Sequence, residues 1–512
     1  MLFGILLGVS VATLGAYTWF ESYPLHHQSF QLPVFNAIDP TYWIFYVLSV
    51  LLFCWYALRV NKLKIAAALG FFTLMRSLSL FFFSIPGPDP FFANLATVYF
   101  KSGFIDPQFA NRYPWPGFFL LIRAVSEISG IPSELLPAIF VLGMGSLIVF
   151  SIFLTAQAKR IDPFWAVVAC SILAMDVLDP QFVPHFLGVA LVTLLLWREI
   201  TKELTGGERI LRLVLLAGLA ITHAYLGFFY AGYLLVRHFC DRTPVTRAAV
   251  AFSVVLCSNI FMAAAAFRTN VLLLLTSIPA LLGLSEYNVR LTETLAASSP
   301  FQPLSRVSIL AAAFVCLIGL LGMVKRRILT RREYALLIAG AMLFAVGADV
   351  TLIGLQSLQV DLLPAALGAG YLPLIVTNRR LRAIMLILLA LSSMFPVMHF
   401  YYDPRIQTQD DVSAAAFASS TLDTTAQYEF YPSYMLRGYF MFLWPAYEYD
   451  IRVTDSGSVH DFIANSGSQA SYIFLSYNVP VFQMEPSSRN YLVQRANIVL
   501  SYGSGALYYW TK

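Results

Sequence analysis

Charge is what this chain lacks. Of its 512 residues only 12% are charged, while 58% are hydrophobic. Soluble domains carry roughly 25% charged residues. A chain this poor in charge cannot fold around one water-soluble core. It needs the bilayer as solvent for most of its length. Cysteine is also scarce. Cys54, Cys170, Cys257 and Cys316 lie in apolar runs and Cys240 in a basic loop. That spacing gives neither a disulfide framework nor a metal-ligand set. The usual enzyme signatures are missing: no GxSxG, no P-loop and no Gly-rich dinucleotide fingerprint. Nucleotide chemistry on the cytoplasmic side therefore has no support.

What is present is a series of long apolar runs. Run length and Pro, Gly and charge punctuation predict about thirteen spans. They fall near 2–20, 42–58, 64–84, 132–158, 163–178, 183–200, 209–224, 225–239, 247–267, 305–324, 333–352, 362–377 and 382–401. The first has no basic leader or small-residue cleavage site and reads as a retained span. The spans 209–224 and 225–239 are short, and they meet near Thr222 and His223.

The net charge of +5 is spread over loops, not gathered into a nucleic-acid patch. "RVNKLK", "QAKR", "REITKELTGGERILR", "RHFCDRTPVTR", "KRRILTRRE" and "TNRRLR" alternate with loops poor in cations. The positive-inside rule places these basic loops in the cytoplasm. It predicts a multi-pass protein of the cell membrane with a cytoplasmic N-terminus and an extracytoplasmic tail. The tail, 402–512, changes character. "ASYIFLSYNVPVFQM" and "ANIVLSYGSGALYYW" have strand composition, and "DVSAAAFASSTL" reads as a short helix. The expected fold is mainly α: a transmembrane helix bundle over 1–401 with a small extracytoplasmic α/β domain over 402–512.

Two outer loops are long. In 85–131, Asp89 stands at an N-cap with Pro90 at the first helical position, Lys101 in the last turn and Gly103 beyond the end. An extended "IDPQFANRYPWPG" follows, then "WPGFFLLIRAVSEISG". There Phe118, Leu121, Val125 and Ile128 share one face, and Arg123 and Glu127 sit four apart on another. This predicts an amphipathic helix in the outer interface. The loop 268–304 is apolar in its first half and bracketed by Arg268 and Arg290. Apolar surface beside arginines suits a lipid with a phosphate head, or a helix that only braces the bundle.

Candidate acids must be weighed against punctuation. Asp-Pro occurs at Asp39, Asp89, Asp106, Asp162, Asp179 and Asp403, so the dipeptide alone carries no chemistry. Asp89 reads as a helix cap whose carboxylate can also face a cavity. Asp179, in "MDVLDPQFVPHFLG", is either a functional acid at a span end or a turn residue before Pro180. His185 in that segment and His223 in "AITHAYLG" are site candidates or packed core histidines. His26 and His27 have no acid or cysteine cluster beside them and read as surface residues.

The order of these features resembles a known family. An acid after an outward span, a helix ending in Gly, a "YPWPG" stretch and an amphipathic helix ending "ISGI" are similar to the first outer loop of GT-C-fold integral-membrane glycosyltransferases. "PQFVPHFLG" resembles the second outer loop of their prokaryotic and archaeal members, and "ITHAYLG" their Thr-His turn. The resemblance covers roughly 64–400. It implies a polyprenyl-phosphate-linked sugar donor, a lipid, glycan or protein acceptor, and transfer outside the cytoplasm with inversion. Asp89 maps onto the family's first-loop acid, the general base or acceptor-positioning group. Asp106 and Asp179 are expected at the sugar or acceptor. Arg112, Arg268 and Arg290 are expected at the phosphate, with His223 lining the same cavity and His185 a further substrate-binding candidate. The chain departs from the family pattern in having two extra spans before the acid and one acid in "GPDP" where a pair is usual. No cofactor is required by this reading, and the lone acid leaves a divalent metal open but unsupported. Membrane lipids are the other expected partners, and nucleic acid is not one.

The chemistry fits a carboxylate of this kind. A sugar phosphate already carries a good leaving group. The acceptor hydroxyl needs a base, and the departing phosphate needs cations. An N-cap position keeps a carboxylate ionised and makes it a weaker base. Two other readings stay open: a transporter or lipid-linked glycan flippase, for which Asp349 is one polar candidate, and a non-catalytic assembly subunit docking through its outer domain.

Overall fold

In the computed structural model the residues described are 40–60, 63–76, 117–131, 136–177, 184–201, 206–266, 301–347, 362–401, 417, 427–431, 471–476, 497–502 and 505–510. The expected span 2–20, the helix following Asp89 and the short helix in "DVSAAAFASSTL" lie outside them, apart from helical Phe417.

The described part of the chain up to Tyr401 is helical. The helices are α1 (Pro40–Arg59), α2 (Lys64–Met75), α3 (Gly117–Ser129), α4 (Leu136–Ala158), α5 (Pro163–Val177), α6 (Pro184–Thr201) and α7 (Gly206–Thr222). They continue as α8 (Ala224–Asp241), α9 (Thr246–Ala266), α10 (Gln302–Lys325), α11 (Arg331–Gly347), α12 (Leu362–Ile375), α13 (Arg379–Ser392) and α14 (Met394–Tyr401). Segments Thr41–Arg59, Pro303–Lys325 and Arg379–Met398 are long and apolar enough to cross a membrane. Along α10 the side chains of Val307, Leu310, Phe314, Leu317 and Leu321 recur at helical spacing and are all exposed. Such a stripe on a long apolar helix faces lipid, not water.

The opposite side of α10 packs on α12 through glycine. A Cβ built on Gly319 would stand 1.8 Å from the carbonyl oxygen of Gly368. Small residues let two backbones approach this closely where lipid gives no hydrophobic drive to associate. The expected span 382–401 is met by the apolar segment Arg379–Met398, within which a turn at Ser393 separates α13 from α14. Ser393 N bonds the Ala390 carbonyl, and its Oγ lies 2.8 Å from the Tyr46 hydroxyl. A side chain that takes up ladder carbonyls bends a helix in this way.

Asp162 shows what Asp-Pro does in this chain. Its Oδ1 accepts from Phe164 N at 3.0 Å and Trp165 N at 3.4 Å, capping α5. Its other oxygen takes Lys64 Nζ at 2.6 Å, tying α5 to the start of α2. The charged ends of α4, α6, α7, α8 and α11 join at the same end of the bundle. Lys159 meets Glu333 at 2.9 Å, and Arg332 donates to the Glu199 carbonyl at 3.1 Å.

Four strands are described in the tail, one in the first of the two strand-like segments, two in the second, and one before both. β1 (Gln427–Tyr431), β2 (Ser471–Ser476), β3 (Asn497–Tyr502) and β4 (Gly505–Trp510) form one sheet in the order β1-β2-β4-β3. β1 pairs parallel with β2, and β4 lies antiparallel to β2 and to β3.

Candidate functional site

The two short spans end and begin at one residue. His223 separates α7 from α8, with φ −155° and ψ 88°, an extended backbone that stops one helix and starts the next. It is buried, at 7% exposure. Across from it, α6 starts at Pro184, and His185 stands in its first turn. The two imidazoles meet: His185 Nδ1 is 3.2 Å from His223 Nε2, with ring centroids 4.9 Å apart at 63°. A contact of this length between ring nitrogens needs one donor and one acceptor, so the pair holds one proton between those atoms. The second nitrogen of His185, Nε2, is buried and has no hydrogen-bond partner among the described residues. The same holds for the Tyr225 hydroxyl, on a ring 6.3 Å from that of His223.

The exit of the first long loop reaches the same place. Gly117 opens α3, and a Cβ there would stand 2.7 Å from Ile221 Cγ1 and 2.9 Å from the Ile221 carbonyl oxygen. Only a glycine fits that close to the backbone two residues before His223. From Gly117, α3 packs on α6 and α7 and ends at Gly130, whose φ of +68° is the left-handed stop that glycine permits. Only part of the apolar stripe of α3 is buried against protein. Phe118 and Ile122 are the buried pair, and Phe118 stacks edge-on against Phe140 at 5.4 Å. Leu121, Val125 and Ile128 are exposed, Ile128 at 87%. The Arg123–Glu127 pair forms as expected, at 2.5 Å.

Of the residues singled out in the sequence, the structure brings His185 and His223 together. Asp89, Asp106, Arg112, Asp179, Arg268 and Arg290 lie outside the described residues, as does Asp349. Two imidazole nitrogens are half of a tetrahedral ligand set. Among the described residues no group of three His, Cys, Asp or Glu side chains lies together.

Two features went unread in the sequence. Arg76, just beyond the end of α2, is only 2% exposed, and its guanidinium lies 5.9 Å from the Phe72 ring. A charge inside the apolar run "FFTLMRSLSLFFF" was the available signal, because intramembrane ionisable groups are costly and tend to be functional. The other is Glu199, also 2% exposed, at the far end of α6. Its carboxylate accepts from Arg212 at 2.9 Å, from the Tyr230 hydroxyl at 3.1 Å and from Arg237. Removing one partner of such a buried pair costs about 3–5 kcal/mol, because the other charge is left unpaired.

No protein-family model and no curated protein matches the chain. Solved structures do. ArnT from Cupriavidus metallidurans in the apo state is 13% identical, with a TM-score of 0.49 over 88% of this chain and 97% of that one. The Archaeoglobus fulgidus oligosaccharyltransferase in the apo form is 14% identical, with a TM-score of 0.48 over 81% of this chain and 69% of that one. The arabinofuranosyltransferase AftD from Mycobacteria is 15% identical, with a TM-score of 0.48 over 80% of this chain and 35% of that one. Two of these neighbours are named as transferases, one of oligosaccharides and one of arabinofuranose.

Proposed function

We propose that this chain is a membrane glycosyltransferase that moves a sugar from a polyprenyl-phosphate-linked donor to an acceptor on the extracytoplasmic face. One observation carries the reading. Three segments far apart in sequence converge at one end of the bundle: the exit of the first long loop at Gly117, the start of α6 at His185, and the His223 break. They are the segments whose residues resemble the outer loops of such enzymes, and they meet at the end opposite the basic loops.

In the reaction the acceptor hydroxyl oxygen attacks the anomeric carbon from the face opposite the phosphate. The bond from that carbon to the phosphate oxygen breaks, the lipid phosphate keeps the electron pair, and the configuration inverts. Asp89 takes the hydroxyl proton or holds the hydroxyl for attack. Arg112, Arg268 and Arg290 stabilise the leaving phosphate. Asp106 and Asp179 contact sugar or acceptor, and the histidine pair lines the cavity. No step needs a cofactor. Residues 402–512 form a separate outer domain, and the N-terminus is cytoplasmic.

The test is incubation of the purified protein with a panel of polyprenyl-phosphate sugars and acceptors, scoring released polyprenyl phosphate. Release from at least one donor, lost in Asp89→Ala and Asp89→Asn while thermal unfolding is unchanged, is the expected result. Release from none overturns the transferase reading, and full activity in both variants removes Asp89 from it.

A further inference from the structure

The helices α6 and α8 run parallel and touch at both ends. At one end His185 meets His223. At the other, Glu199 accepts from Arg237 and Tyr230. Glu199 follows His185 by fourteen residues, and Arg237 follows His223 by fourteen. Fourteen residues of helix are about 21 Å, close to four turns, and return to nearly the same face. The steps between repeat the match. His185, Gly188, Val192, Leu195 and Glu199 lie at heptad spacing, and so do His223, Leu226, Tyr230, Tyr233 and Arg237. Gly188 marks the close approach: a Cβ there would stand 2.8 Å from Leu226 Cδ1 and 3.0 Å from His223 Cβ. Leu226, Tyr230, Tyr233 and Arg237 are all buried, as are Val192, Leu195 and Glu199. A shared seven-residue period holds two helices in one register along a common seam.

A slide of either helix by one turn would move the two rings about 5.4 Å apart. Apolar side chains and a glycine resist such a slide weakly, because their contacts are non-directional. The ion pair resists it strongly, because a displaced Glu199 would be buried away from its cations. We propose that Glu199 and Arg237 are positioning residues for the His185–His223 pair, setting its contact from the opposite end of α6 and α8. The inference rests on the reading of that pair as part of the reaction site.

The test separates the two ideas. In bilayer discs, the full chain carrying His185→Cys and His223→Cys is treated with the shortest bifunctional thiosulfonate, with Cys240 and Cys257 changed to Ser. Cross-linking of the two positions is read by peptide mass spectrometry. Arg237→Gln or Glu199→Gln is expected to slow it about tenfold, as the registered population falls. Arg237→Lys, which keeps one donor for the carboxylate, is expected to restore it. Lys64→Met, which breaks another ion pair at the same end, is expected to leave it unchanged. In the chain with both histidines intact, turnover should follow the same order across the variants. Unchanged cross-linking in both Gln variants overturns the inference whatever the activity. Equal slowing in Lys64→Met also overturns it, since the effect would then be general loosening. Variant-specific slowing in a protein that releases no polyprenyl phosphate supports the positioning and removes the transferase.

Discussion

Gly319 on α10 and Gly368 on α12 face each other with no room for a methyl group: the Cβ that Gly319 lacks would overlap the Gly368 carbonyl. The obstacle is backbone, so no rotamer change relieves it. Gly319→Val should lower the thermal midpoint of the purified protein strongly, by the several kcal/mol that overpacking against a fixed wall costs. Gly218→Val, where the missing Cβ meets nothing within 4 Å, should cost far less. Equal midpoints for the two would refute the close crossing.

The histidine pair should behave as a unit. His185→Ala and His223→Ala are each expected to reduce turnover by about 10- to 100-fold. The double substitution should be little worse than either single one, since each removes the same contact. Additive losses would mean that the two rings act separately.

Three helices stop on an arginine with positive φ: Arg160 at 57°, Arg242 at 53° and Arg327 at 54°. A left-handed backbone costs a residue bearing a Cβ about 1 kcal/mol more than it costs glycine. Arg327 is exposed, and it follows α10. Arg327→Gly should therefore raise the unfolding midpoint slightly. A lowered midpoint would show that the side chain contributes more than the strain costs.

Arg76→Met keeps most of the volume and removes the charge. Turnover per folded molecule is expected to fall at least tenfold, because intramembrane charges tend to be functional. A large loss of stability with unchanged specific activity would assign Arg76 to the scaffold instead.

Much of the helical frame was legible because membrane spans declare themselves by run length and punctuation. The break at His223 was readable from two runs too short to cross separately, and the strands of the tail from their alternation. The pairing of His185 with His223 was not, because the two lie thirty-eight positions apart with all of α7 between them. Glu199 was hidden for a different reason. In "REITKELTGGERILR" it looks like one more solvated charge at a span end, and its burial depends on α8 returning beside α6. The apolar stripe of α3 was legible from helical periodicity, but the burial of Phe118 and Ile122 was not, because periodicity does not name a packing partner such as Phe140 on α4.

The two sides of α3 are not alike. α3 carries two apolar surfaces, one held by protein through Phe118 and Ile122 and one left bare at Leu121, Val125 and Ile128. Its first turn is fixed against Ile221 and Phe140, and the bare side faces whatever surrounds the bundle. A bilayer and a micelle offer that side different surfaces, one flat and one curved. The choice of solubilising medium becomes a variable that acts on α3 itself.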